Sequence, residues 1–269
     1  MAEAFKDMNS ENHEKKAEAS FGASDPKGMN ATCKILDWDS SFFGRRIARL
    51  DVRHLTSDTL TKLNDWVVEQ QIECVYFLCE AVDSESIALA EQNRFHLTDI
   101  RMTLENRSCI HRIDLRENLV VSQASFEQIA ALKGIARSSH MDSRFYQDPH
   151  FQVSRCGDLY ETWVEKSCKG YAEMVFTAEL GGIVAGYVTC HLDSDLAGHI
   201  GLLAVADIAQ GKGVGSSLVL AALNWFKAQQ RSLVTVVTQG RNIRAQRFYQ
   251  RCGFVSRSVG LWYHYWPAN

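Results

Sequence analysis

The sequence predicts an α/β (α+β) protein, and two observations indicate this class. Segments with the two-residue periodicity of strands alternate with segments of helical periodicity from about residue 32 to the C-terminus. The composition is globular, since 46% of the 269 residues are hydrophobic, 23% are charged and only 3 are prolines. This length suits one large domain or two small domains that share an interface.

The first folded unit is expected over residues 31–117 as a small N-terminal α/β domain. The alternation of apolar residues predicts strands at 33–38, 45–52, 74–79 and 95–104. One helix is predicted after a Ser57–Asp58 cap, because apolar residues recur at helical spacing from Leu60 to Ile72. A second helix is predicted over 83–92. A unit of this size is at the low end of independent stability, so we expect it to pack against the C-terminal part of the chain.

The second unit is expected over residues 118–269. Its predicted strands lie at 119–124, 174–180, 183–191, 199–205, 233–238 and 255–266. Its predicted helices lie at 126–137, 158–168, 215–229 and 243–251, with a loop over 143–149. Gly181-Gly182 between two strands is the signal of a two-residue hairpin.

The N-terminal residues, the net charge and the cysteines indicate where the protein is expected to act and which partners are disfavoured. Residues 1–30 are polar and carry almost no apolar periodicity, so we expect a flexible tail, and the sequence leaves open a start at Met1 or Met29. No window reaches the length of a membrane span, and the formal charge is −3. The 8 cysteines form no CxxC pair. These features predict a cytoplasmic protein without a metal site and without nucleic-acid or membrane partners.

The segment that indicates chemistry is an apolar strand followed by a glycine-rich turn and a helix. Glycines at 211, 213 and 215 let the backbone approach a ligand closely, and the helix start leaves N–H groups unpaired. Such a turn can bind a pyrophosphate. A dinucleotide fingerprint is disfavoured because position 216 is Ser, and a Walker loop is disfavoured because Lys212 is followed by Gly.

This segment resembles the acetyl-CoA loop of the GNAT acyltransferase superfamily. Gln210, Gly213 and Gly215 match the pattern Gln/Arg-x-x-Gly-x-Gly/Ala, and Asn242-x-x-Ala-x-x-Phe-Tyr249 matches the helix after the next strand. The resemblance covers about 119–265 and implies the GNAT fold, a mixed and mostly antiparallel sheet flanked by helices. It also implies acetyl-CoA as acyl donor, bound by Leu203, Ala204, Val205, Gln210, Gly211, Lys212, Gly213, Val214, Gly215, Ser216, Asn242 and Tyr249.

A narrower resemblance extends over most of the chain. Three segments carry it: Leu36-Asp-Trp-Asp-Ser-x-Phe-Phe-Gly44, Ser143-Arg-Phe-Tyr-x-Asp-Pro-His-Phe151 and Tyr160-x-x-Trp163. They resemble the TDP-fucosamine acetyltransferase group, which acetylates dTDP-4-amino-4,6-dideoxygalactose. The resemblance implies a small-molecule amine, a nucleotide sugar, as acceptor.

Substrate contacts are then expected from Arg144, Phe145 and Tyr146. An Arg fork suits phosphate oxygens, although an ion pair with Asp142 or Asp148 accounts for Arg144 equally well. The two aromatic residues could stack on the substrate or belong to the core.

The resemblance implies that Tyr249 is the general acid and that backbone N–H groups near Val205 stabilise the developing oxyanion. The base is less defined, because the strand before the glycine turn has no Glu. His199 is one candidate, and activation by water is favoured. Two alternatives stay open: a GNAT enzyme for another amine, such as a peptide, a polyamine or a drug, and a non-catalytic CoA-binding module. The aromatic last strand fits either a core position or the edge of a homodimer.

Overall fold

The computed structural model describes residues 32–107, 118–193 and 196–267. Ten strands form one sheet in the order β1-β2-β3-β10-β4-β9-β8-β7-β6-β5. The strands are β1 Cys33–Ile35, β2 Ile47–Leu50, β3 Cys74–Glu80, β4 Phe95–Asn106, β5 Leu119–Gln123, β6 Met174–Leu180, β7 Ile183–Leu192, β8 Ala197–Val205, β9 Leu233–Gln239 and β10 Val255–Tyr265. The predicted N-terminal tail lies outside the described residues.

Helices cover both faces of this sheet. They are α1 Asp37–Phe43, α2 Ser57–Glu69, α3 Ser84–Gln92, α4 Ile129–Ser139, α5 Arg144–Gln147, α6 Val153–Lys166, α7 Val214–Ala228 and α8 Ile243–Arg251. Short 3-10 turns precede α4 and α7, and a π-helical turn, Ser167–Tyr171, follows α6.

The sheet is mixed and mostly antiparallel, as the family resemblance implied. Only the pairs β2–β3 and β8–β9 of the described strands are parallel. The last strand, β10, lies between β3 and β4 and pairs antiparallel with both. The two units that the sequence separates at residue 117 therefore share one continuous sheet.

Alternation along the strands divides the core between the two faces. Tyr76 packs with α4, α5 and α6 on one face, while the next residue, Phe77, packs with α2 and α3 on the other. In β8, Leu202 and Ala204 belong to the first face, and Leu203 and Val205 pack against the α7 side.

Several element boundaries were predicted well because their signals are local. Asp83 caps α3 by accepting from the N–H of Ser86, and α8 spans the predicted residues. Both hairpin glycines, Gly181 and Gly182, have positive φ, as a two-residue turn requires. The cap of α2 is Thr56, one residue before the predicted one.

Other elements differ from the prediction because tertiary packing decides them. The strand expected at 33–38 ends at Ile35, and α1 follows it. Trp38 and Phe42, four residues apart, stack at 5.0 Å and pack on the core, while Gly44 ends α1 in the left-handed region. α6 begins at Val153, five residues before the predicted start, and the loop over 143–149 contains α5.

Candidate active site

An open edge on β8 is the first feature of the candidate site. β8 pairs with β9 only over residues 197–200. Beyond that point β8 stays paired with β7, and β9 stays paired with β4, so the two strands diverge. The free edge of β8 offers backbone N–H and C=O groups to a ligand. The predicted donor-binding residues on this edge are Leu203, Ala204 and Val205.

The turn after β8 is stabilised by hydrogen bonds of the Gln210 side chain. The Gln210 amide donates to the Val205 carbonyl at 3.3 Å and to an Asp207 carboxylate oxygen at 2.8 Å. Gly211 and Gly213 have φ of +74° and +85°. A Cβ on Gly211 would meet nothing within 4 Å. Glycine is therefore needed in this turn for backbone conformation, and the space beside Gly211 is free.

The start of α7 completes the donor side, the name we give to the residues predicted to bind acetyl-CoA. The first intrahelical bond runs from the Ser217 N–H to the Gly213 carbonyl, so the N–H groups of Val214, Gly215 and Ser216 precede the helical ladder. Together with the helix dipole, these groups favour an anion. The Val214 side chain is buried in the core, and Lys212 is exposed. The turn and helix start thus fit the diphosphate of acetyl-CoA.

Gly215 has a packing role that the sequence did not suggest. A Cβ at this position would lie 3.2 Å from the Phe248 ring of α8. Glycine lets α7 and α8 approach closely, which fixes α8 against the donor side. Phe248 is only partly buried at this contact, and Tyr249 is the more deeply buried aromatic residue of the helix.

α8 carries the two remaining predicted donor-side residues. The Asn242 side chain caps α8 by accepting from the Ala245 N–H at 2.9 Å. Tyr249 is 6% exposed, and its ring packs against Phe248 and Phe254. Burial raises the pKa of Tyr249 above its usual value, so its hydroxyl stays protonated at neutral pH.

A pocket borders β9 beyond the point where β8 and β9 diverge, and we call this cavity the β9 pocket. It is lined by Asp99, Arg101, Ser143, Arg144, Phe145, Tyr160, Val237, Thr238, Gln239 and Trp262. These residues come from β4, β9, β10 and the α5–α6 region, so both halves of the chain build it. Phe145 borders the pocket but is otherwise core, and Tyr146 is half-buried and does not line it.

Asp99 is the titratable group of this pocket that the sequence analysis missed. Its carboxylate accepts from the Ile100 N–H at 2.8 Å and lies 3.9 Å from the Arg241 guanidinium. Burial raises the pKa of Asp99 to about 6, and the charges of Arg241 and Arg144 limit the rise. A carboxyl that is ionised at pH 7 but not strongly acidic is suited to accept a proton. The only local signal was an acidic residue inside an apolar strand.

Arg144 is buried and held by a hydrogen-bonded chain. Its guanidinium lies over the rings of Tyr76, at 4.1 Å, and Trp262, at 4.2 Å. It donates to the Nε2 of His264 at 3.2 Å, and His264 Nδ1–H donates to Asp148 at 2.5 Å. Burial lowers the pKa of His264 to about 4, which agrees with this neutral tautomer. Arg144 thus borders the β9 pocket from a fixed position.

His199 is not placed to act as a base. Its Nδ1 lies 2.6 Å from Asp193, and its ring stacks on His191 at 4.7 Å. It belongs to the part of β8 that still pairs with β9. At about 3.3 Å per residue, it is about 20 Å along the strand from Val205.

The comparisons with known proteins agree with this geometry. Residues 137–254, which include the glycine turn and α8, match the acetyltransferase (GNAT) family. The chain carries a GNAT acetyltransferase domain. The predicted resemblance to this family is confirmed, and the domain is that of an acetyltransferase enzyme. The GNAT fold is confirmed as well: the structure is similar to a GCN5-related N-acetyltransferase from Sphaerobacter thermophilus. The TM-score is 0.61 at 14% identity, covering 88% of this chain and 77% of that one.

The names of two curated relatives refer to carbohydrates. The dTDP-fucosamine acetyltransferase of Escherichia coli O6:H1 is 26% identical over 244 residues, which cover 87% of this chain and 98% of that protein. The spore coat polysaccharide biosynthesis protein SpsD of Bacillus subtilis is 31% identical over 139 residues, 52% of this chain. The matched part spans about half of SpsD, 48% of its length. Within the described ranges, no helix has the length and apolar character needed to cross a membrane.

Proposed function

We propose that the protein is an acetyl-CoA-dependent N-acetyltransferase whose acceptor is the amino group of a nucleotide-linked amino-deoxyhexose, similar to dTDP-4-amino-4,6-dideoxygalactose. The observation that carries the proposal is the β9 pocket, which both halves of the chain line. The similarity to the Escherichia coli dTDP-fucosamine acetyltransferase also extends over both halves. Cytoplasmic location and a homodimer stay predictions.

The donor side supports acetyl-CoA as the acyl donor. The free edge of β8 can pair with the amide groups of the pantetheine arm, and the N–H groups at the start of α7 can bind the diphosphate. Gly211 and Gly213, both at positive φ, keep side chains away from the turn. When bound, acetyl-CoA supplies a thioester carbonyl that a neutral amine can attack.

In this proposal two residues of the chain, Asp99 and Tyr249, each carry out one proton transfer. Asp99 takes a proton from the acceptor amine as its nitrogen bonds to the acetyl carbon. Backbone N–H groups near Val205 stabilise negative charge on the carbonyl oxygen. Tyr249, which is protonated at neutral pH, donates its proton to the sulfur as the carbon–sulfur bond breaks. Holding amine and thioester together accounts for a large share of the rate gain.

The experiment is a thiol-release assay with acetyl-CoA and three acceptors: a dTDP-4-amino-4,6-dideoxyhexose, a peptide amine and a polyamine. We expect turnover with the sugar nucleotide and little with the other two. Turnover only with the peptide or the polyamine would refute the acceptor class and leave the acetyltransferase in place. Binding of CoA without thiol release from any of the three would favour a CoA-binding module.

A further inference from the structure

A second pocket lies apart from the β9 pocket, and we call it the basic pocket. It is lined by Phe43, Gly44, Arg45, His150, Phe151, Gln152 and Arg155 and encloses about 400 Å³. A single water molecule needs about 10–15 Å³ of such space, so the pocket admits a much larger ligand. No acidic residue is among the described residues that line it, whereas two arginines and a histidine are.

The cationic groups of the basic pocket are fixed by contacts outside it. Arg155 donates to the Phe42 carbonyl and to Asp158, and its guanidinium lies 4.2 Å from the Phe42 ring. Arg45 bonds Glu73 at 3.2 Å, and its guanidinium lies 5.4 Å from the Trp266 ring. Both arginine side chains remain about 40% exposed. They are therefore oriented yet still accessible to a ligand.

His150 packs on the Trp266 ring that also contacts Arg45. Its ring stacks on Trp266 at 4.2 Å, and its Nδ1 bonds Asp148 at 2.7 Å. Because Trp266 contacts both His150 and Arg45, the two side chains are held near each other. Asp148 itself is buried and does not line the pocket.

The start of α6 adds donors to the basic pocket. Its N-cap residue, Gln152, makes no side-chain capping bond. The first helical bond runs from the Cys156 N–H to the Gln152 carbonyl, so the N–H groups of residues 153–155 precede the helical ladder. Gln152 and Arg155 at this helix start line the pocket, so an anion there would be favoured by the helix dipole as well as by the two guanidinium charges.

We propose that the basic pocket binds the phosphate groups of a nucleotide. Two guanidinium groups, a histidine and an uncapped helix start suit a diphosphate better than a carboxylate, since they place several positive groups at one pocket that a multiply charged anion can neutralise. The phosphates could be those of a sugar-nucleotide acceptor or of a separate nucleotide. The pocket is joined to the β9 pocket by hydrogen bonds that run His150–Asp148–His264–Arg144.

The test is equilibrium binding of dTDP and of inorganic pyrophosphate, by calorimetry, to the full chain and to Arg45→Gln and Arg155→Gln. Each variant removes one charged hydrogen-bond donor group, so we expect Kd for dTDP to rise about tenfold or more in each. Arg46→Gln is the matched control, because the residue is adjacent, exposed and outside the pocket lining. It should change Kd by less than about twofold. Thermal unfolding of every variant separates lost binding from lost folding.

These binding measurements need no turnover. A failure of the basic pocket to bind a nucleotide is therefore distinguishable from a failure of the proposed acetyltransferase function. The proposal is overturned if wild type binds dTDP and pyrophosphate more weakly than millimolar, if Arg45→Gln binds like wild type, or if Arg46→Gln weakens binding equally. It is also overturned if Arg45→Gln weakens CoA instead of dTDP. If the amino-sugar nucleotide displaces dTDP, the acceptor's own phosphates occupy the pocket. If both bind together, a separate nucleotide does, and the site stands in either case.

Discussion

Replacing Asp99 by Asn tests the proposal that this carboxyl is the general base. Burial raises the pKa of Asp99 from 3.8 to about 6. A base with this pKa is about 90% ionised at pH 7 and about 10% ionised at pH 5, so kcat/KM of the wild type should fall about tenfold between these values. Asp99→Asn should lower kcat at pH 7 about 100-fold and remove the acid limb centred near pH 6.

The same substitution should stabilise the fold. Because the folded-state pKa of Asp99 lies above its unfolded value, the ionised carboxyl lowers the free energy of unfolding at pH 7 by up to about 3 kcal/mol. This penalty is small below about pH 3.5, where both states are largely protonated, and develops as the pH rises to about 6. Asp99→Asn should therefore gain stability at pH 7 but not at about pH 3.5, measured by urea unfolding.

Asp39 provides the matched control. It is 3% exposed, burial raises its pKa to about 6 as well, and it lies outside the β9 pocket. Asp39→Asn should also gain stability at pH 7 while keeping the acid limb of the rate profile. The reasoning is refuted if Asp99→Asn keeps more than a third of wild-type kcat at pH 7, or if its acid limb near pH 6 persists.

Three further predictions concern single residues. Tyr249→Phe should lower kcat about 100-fold in the thiol-release assay with an unchanged fold, because the ring and its packing are retained; an unchanged kcat contradicts its role as acid. Gly213→Ala should lower the free energy of unfolding by about 1 kcal/mol and raise KM for acetyl-CoA, because φ is +85°. Its control, Gly134→Ala in helix α4, has free space for a Cβ and should be neutral or stabilising; equal effects of the two would oppose the strain argument. Asp148→Ala should destabilise the fold by about 3 kcal/mol in urea unfolding, because it removes the acceptor of the buried His264 N–H; a loss below about 1 kcal/mol would contradict this.

The donor side could be predicted from sequence because its signals are local. The glycine turn and the start of α7 lie within a few residues of each other, and the Asn242–Tyr249 spacing is set by one helix. Steric rules for positive φ and the need to cap a helix act over the same short range. The packing role of Gly215 could not be predicted from local signals, because its contact with Phe248 joins two helices that a strand separates along the chain.

The acceptor side could not be predicted in the same way. Asp99 has no motif around it, and it reaches the pocket because β4 pairs with β9, which lies far along the chain. Arg144 was recognised as a candidate, but its burial against Tyr76 and Trp262 depends on β3 and β10 being neighbours. α1 likewise forms where a strand was expected, because its aromatic residues pack on a distant helix.

The sequence by itself determined the alternation of strands and helices, the family resemblance and the candidate donor loop, since each is carried by residues that lie close together along the chain. Only the tertiary structure decided that β10 enters between β3 and β4, and so joins two apparent units into one sheet. It also decided which carboxyl borders the β9 pocket. Strand pairing at long sequence separation is chosen by the fit of whole faces, and that fit leaves no local pattern along the chain.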